Sequence, residues 1–159
     1  MQYTICSKAI NQNVQELVVH IDQGSSPNCE QAKATFYLFH TGERYPTEFL
    51  HESEVADLWL IQEELDECLS KMPGQRVWLD SFEKSPGFKG SASQALKSVL
   101  DKEKTRFYCK GAFEVFLNPH PIGCFDPIEE ESSKNKLIDA YFKAFDAKAV
   151  STNIYMFKI

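Results

Sequence analysis

Residues 3–21 read Tyr3-Thr4-Ile5-Cys6-Ser7-Lys8-Ala9-Ile10-Asn11-Gln12-Asn13-Val14-Gln15-Glu16-Leu17-Val18-Val19-His20-Ile21. Two runs of strand-like composition, 3–10 and 17–21, flank the polar turn Asn11-Gln12-Asn13. Parallel neighbours need a crossover of a dozen or more residues, so a connection this short joins antiparallel strands. The chain therefore opens with a hairpin, and the fold class is α+β rather than doubly wound.

Working outward, a Gly-Ser-Ser-Pro-Asn loop at 24–28 leads to a strand at 35–40. There Phe36 and Leu38 occupy one face and Tyr37 and Phe39 the other, the pattern of a central strand buried on both sides. The turn Thr41-Gly42-Glu43-Arg44 returns the chain through a strand at 45–50, which Pro46 marks as an edge. Ser53 caps a helix over 53–72, with Glu54 and Asp57 in its first turn and Pro73-Gly74 as its stop.

A strand over 77–82, a loop over 85–90 and a helix over 93–102 follow, the helix placing Ala95, Leu96, Val99 and Leu100 inward. Residues 107–117 alternate: Phe107, Cys109, Phe113, Val115 and Leu117 share a face, against Tyr108, Lys110 and Glu114. That period predicts one long strand. The last helix has two competing starts. Asp126-Pro127-Ile128-Glu129 resembles a capping box with proline at the first helical position. The stripe Leu137, Ile138, Tyr141, Phe142 and Phe145, extended backward, puts Glu130 and Glu131 on the apolar side, so phase favours a start near Ser132 or Ser133. A strand over 152–159 closes the chain. The expected order is β-β-β-β-α-β-α-β-α-β: a mostly antiparallel sheet of six to seven strands carrying three amphipathic helices in a single domain.

Apolar residues make up 43% of the 159, with 12 Phe, enough for a packed core. The net charge of −6 argues against a direct grip on nucleic acid, which needs basic groups to neutralise phosphates. Cys6, Cys29, Cys68, Cys109 and Cys124 are odd in number and irregularly spaced, without a CxxC pair. They read as free thiols of a reducing compartment rather than a disulfide frame or zinc site. The first residues lack the basic start and apolar run of a signal peptide, and no apolar run nears the ~18–20 residues of a membrane span. The expectation is a cytoplasmic protein with no membrane partner and no cofactor.

Charge is concentrated in one place. Between Glu43 and Ser70 stand nine acids, Glu43, Glu48, Glu52, Glu54, Asp57, Glu63, Glu64, Asp66 and Glu67, against Arg44 alone. That segment carries −8 and leaves +2 for everything else. On a helical wheel Val55, Leu58, Ile61, Leu65, Leu69 and Met72 form the inward stripe. Leu60 projects to the opposite side among Ala56, Glu64 and Glu67, with Glu52 just before the helix. Trp59 sits at the margin beside Glu63 and Asp66. An apolar anchor inside a polar rim is the anatomy of an interface, so Glu52, Ala56, Trp59, Leu60, Glu63, Glu64 and Glu67 are the candidate partner-binding residues. The partner would carry a basic surface, as an inhibitor or immunity-type protein requires. The plainer alternative is a solvated helix face with one stray leucine.

Other groupings point elsewhere. Asn118-Pro119-His120-Pro121-Ile122-Gly123-Cys124 could set a thiol beside an imidazole, as in a thiol-dependent hydrolase or transferase, although two prolines mainly mark a rigid turn, with either X-Pro bond open to the cis form. Gly87, Lys89 and Gly90 precede a helix, where backbone N–H groups can hold a phosphate, but the spacing fits no phosphate motif. His20, His40, His51 and His120 show no metal-ligand spacing. The aromatic residues around Phe36, Phe113, Phe142 and Phe145 are core, or else the walls of a small-ligand cavity.

Overall fold

The computed structural model describes residues 2–10, 12, 14–24, 31–39, 76–109, 114–117, 127–150 and 154–159. Four strands come first: β1 (Gln2–Ala9), β2 (Val14–Asp22), β3 (Gln31–Phe39) and β4 (Arg76–Lys84). Helices α1 (Ala92–Lys102) and α2 (Lys104–Cys109) lead to β5 (Glu114–Leu117). Helix α3 (Pro127–Phe145) and the pair β6 (Lys148–Ala149) and β7 (Tyr155–Lys158) complete the described chain. The strands form one sheet in the order β1-β2-β3-β4-β5-β7-β6. All neighbours are antiparallel except β4 and β5, which the α1–α2 crossover joins in parallel. The class is α+β, as the opening hairpin implies.

Core and sheet follow one period. Leu17, Val19 and Ile21 of β2, Ala32, Ala34, Phe36 and Leu38 of β3, and Val77 and Leu79 of β4 face a common interior. Leu96, Val99 and Leu100 of α1, Phe107 of α2, and Tyr141, Ala144 and Phe145 of α3 fill it from the helical side. A bulge keeps β4 in phase. Its register with β3 slips between Thr35↔Ser81 and Phe36↔Leu79. One extra residue at the slip lets Phe82 return to the core side even though Leu79, three residues earlier, already points there.

Ser91 caps α1, its Oγ accepting from the Gln94 N–H at 3.2 Å. Buried Ala92, Leu96, Val99 and Leu100 repeat at helical spacing. Ser91→Ala is expected to cost about 1 kcal/mol of stability, read as a lower denaturant midpoint with an unchanged slope.

Three expectations are corrected. Residues 107–117 are not one strand: Lys104–Cys109 is helical, and among the described residues that follow Glu114–Leu117 is extended. Phe107 is fully buried and meets Phe36 edge-on at 6.1 Å between ring centres. The short helix delivers that ring, and tertiary packing overrides a local period that a strand would satisfy equally well. Helix α3 starts at Pro127, not near Ser132. Among its described side chains Tyr141, Ala144 and Phe145 are buried, while Ser132, Asn135 and Lys136 are exposed. Proline at the first helical position has its φ preset for a helix and no N–H to leave unsatisfied, and it sets the start. Finally, β6 was not expected. Asp146, at a left-handed φ of 54°, ends α3 and lets the chain turn straight into that two-residue strand.

The strand at 45–50 and the helix at 53–72 lie outside the described residues. Among those described, no helix is long and apolar enough to cross a membrane.

Candidate functional site

Glu52, Ala56, Trp59, Leu60, Glu63, Glu64 and Glu67 all lie outside the described residues, as do His120, Cys124, Pro119 and Pro121. Other features the sequence singled out can be placed.

The loop over 85–90 is tied down by its own chain. Ser85 N–H donates to the Gln31 carbonyl at 2.7 Å, and Gln31 N–H donates to Ser85 Oγ at 2.9 Å. Gln23 clamps Lys89 on both sides: its Oε1 accepts from Lys89 N–H at 2.7 Å, and its Nε2 donates to the Lys89 carbonyl at 2.6 Å. Phe88 N–H closes a turn onto the Ser85 carbonyl, and the Phe88 ring is buried. Gly90 takes the left-handed φ of 82° that the entry to α1 requires. The Ser85, Phe88 and Lys89 N–H groups are taken up by the fold, so the loop braces the sheet at the entry to α1.

The aromatic residues are packed against one another. Phe145 stacks on Phe157 at 4.2 Å between centres, Tyr141 leans on Phe145 at 6.1 Å, and Phe36 meets Phe107. At these separations the rings pack directly against one another. Burial pushes the Tyr141 phenol far above its ordinary pKa, so it stays neutral in the core.

The face of the sheet away from α1–α3 is also buried at its centre. Val14, Tyr37, Trp78 and Phe116 are each no more than 4% exposed. Tyr37 Oη donates to Glu16 Oε2 at 3.1 Å. On the same face half-buried Glu114 stands directly opposite Lys158 of β7. One of its carboxylate oxygens is buried without a hydrogen bond. His20 lies half-buried on that face between Thr4 and Lys33. Among the described residues no group of three potential metal ligands forms.

Outside α1 runs a shallow groove of about 460 Å³ lined by Gln94, Lys97, Ser98, Asp101 and Lys102. Lys97 Nζ reaches both Asp101 oxygens at 2.6 Å, so the groove carries its own neutralised pair. Beside it Tyr3 Oη donates to Glu103 Oε1 at 2.9 Å, which raises the Tyr3 pKa above its usual value. Lys102 Nζ lies 6.0 Å over the Tyr3 ring. These contacts fasten β1 to the helical layer.

Cys6 is a free thiol and is exposed on β1. Among the described residues β1 is the outermost strand on one side of the sheet, a position the sequence reading did not assign. Gln2, Thr4, Cys6 and Lys8 leave one face of that strand polar, but interior β2 carries Glu16, His20 and Asp22 on the same face, so this pattern does not mark an edge.

Comparison of the chain with protein-family models, with curated proteins and with solved structures gave no match.

Proposed function

We propose that this chain is a non-enzymatic protein-binding domain that presents its acidic 43–70 segment to a partner with a basic surface, in the manner of an inhibitor or immunity-type protein. The supporting observation is the distribution of charge: −8 within that one segment and +2 over the rest of the chain. A field so localised steers a cationic partner to one side of the molecule and accelerates encounter. Leu60 supplies the apolar anchor inside the acidic rim, with Trp59 at its margin. Residence in the reducing cytoplasm belongs to the same reading and rests on the irregular cysteine spacing.

Capture from native lysate at low and high salt tests it. The Debye length falls from about 10 Å at 0.1 M to about 3 Å at 1 M salt, so a charge-steered complex forms more slowly at high salt. With a recovered partner, Glu63→Lys, Glu64→Lys and Glu67→Lys together are expected to slow association while the melting temperature holds. Leu60→Ala is expected to cost about 1–2 kcal/mol of binding and little stability. Unchanged association of the triple variant rejects the proposal. A large stability loss from Leu60→Ala in the isolated chain rejects the anchor.

A further inference from the structure

Among the described residues strand β1 ends the sheet, and one hydrogen bond fixes which of its backbone groups face away from β2. Ile10 N–H donates to the Val14 carbonyl at 2.9 Å, and the same register continues through Lys8↔Glu16, Cys6↔Val18 and Thr4↔His20. Hydrogen-bonded and non-bonded pairs alternate along an antiparallel ladder. The backbone groups of Gln2, Thr4, Cys6 and Lys8 therefore turn toward β2. Those of Tyr3, Ile5, Ser7 and Ala9 turn away from the sheet.

Natural sheets blunt such edges with proline, bulges, charges or very short strands. The other edge is blunted in this way, because β6 has two residues. Strand β1 has eight, pairs with β2 without a register shift, holds no proline and carries one charge, Lys8.

We propose that this edge pairs with β1 of a second copy, antiparallel about a twofold axis at Cys6, joining two sheets into one. Self-complementarity selects the occupant. The outward positions 3, 5, 7 and 9 are symmetric about Cys6. Tyr3 meets the partner's Ala9 and Ile5 meets the partner's Ser7, so every outward N–H and C=O on both strands is used. An axis at Ile5 would instead run Ala9 past Gln2, the first residue of the other strand. Charge agrees, because Lys8 falls opposite the partner's Thr4 and no like charges face each other. Cys6 then faces the partner's Cys6 in a non-bonded pair. Such pairs bring Cα atoms to about 4.5 Å, within the roughly 4.4–6.8 Å that a disulfide spans. This pairing is independent of the acidic segment and of its partner.

Sedimentation velocity of the full chain in reducing buffer, across the micromolar range, tests the proposal. The expected result is a reversible monomer–dimer equilibrium. Without reductant, added diamide takes up two electrons and two protons from the facing Cys6 thiols. The result is a covalent dimer that Cys6→Ser abolishes, while the noncovalent dimer survives that substitution. Ser7→Pro removes an outward N–H and leaves the bonds to β2 intact. It also displaces the exposed contact in which Ser7 Oγ accepts from Gln15 Nε2. Ala9→Pro is the second variant. Each is expected to weaken association at least about tenfold, through one lost donor per copy, with a near-native melting curve. A chain that stays monomeric throughout overturns the proposal. So does a dimer whose association and Cys6 cross-linking are unchanged in both proline variants.

Discussion

Phe36→Ala is expected to lower stability by about 3–5 kcal/mol, the cost of emptying a fully buried phenylalanine site, and Phe107→Ala by a similar amount. Neither ring touches solvent. They come from distant parts of the chain, Phe36 from the interior strand β3 and Phe107 from the six-residue helix α2. Their edge-to-face contact at 6.1 Å makes the two losses less than additive. A double-mutant cycle by denaturant unfolding should return a coupling of about 0.5–1.5 kcal/mol. Zero coupling with two large single losses would mean that Phe107 is buried somewhere else, as on the long strand its sequence period suggests.

Trp78→Ala and Phe116→Ala are expected to cost about 3–5 kcal/mol each, although both lie on the face of the sheet opposite α1–α3. Trp78 is 4% exposed and Phe116 2%. They are neighbours across the parallel pair of β4 and β5. Were that face open to water, the same changes would fall within about 0.5 kcal/mol. Thermal or denaturant unfolding of the two variants therefore measures directly whether the sheet is covered on both sides. Lys33→Ala, exposed on the same face of β3, is the internal control and should change little.

The two-sided burial was legible for one strand. Phe36 and Leu38 against Tyr37 marked β3 as interior, and β3 does lie between β2 and β4 with both faces buried. That reading works because each residue of a strand reports on its own face, with a period of two. The same logic placed the opening hairpin and the inward stripe of α1, where Leu96, Val99 and Leu100 are buried.

It failed at 107–117, where alternation coexists with a helix. Over so few residues an apolar residue at any one position satisfies either period, and the deciding contact, Phe36, is remote in sequence. At Pro127 the sequence held two signals that disagreed. The local one, a preorganised first turn, fixed the backbone, and the apolar stripe is seen in the burial of Tyr141 and Phe145.

Of the candidate interaction surfaces, the acidic segment is visible in composition alone because charge is additive along the chain. The residues Glu52, Ala56, Trp59, Leu60, Glu63, Glu64 and Glu67 follow from that and from wheel geometry. The open edge of β1 could not be read this way. The same eight residues would serve beside one neighbour or between two. Among the described residues, what leaves the backbone groups of Tyr3, Ile5, Ser7 and Ala9 facing away from any other strand is sheet order, and sheet order depends on which distant strands pair. By itself the sequence determined the α+β class, the interior character of β3 and the location of the charge, because periodicity, turn length and composition are local properties. Only the tertiary structure decided that Phe107 rides on a helix, that β4 carries a bulge and that β1 is left at an edge, because each depends on contacts between residues far apart in the chain.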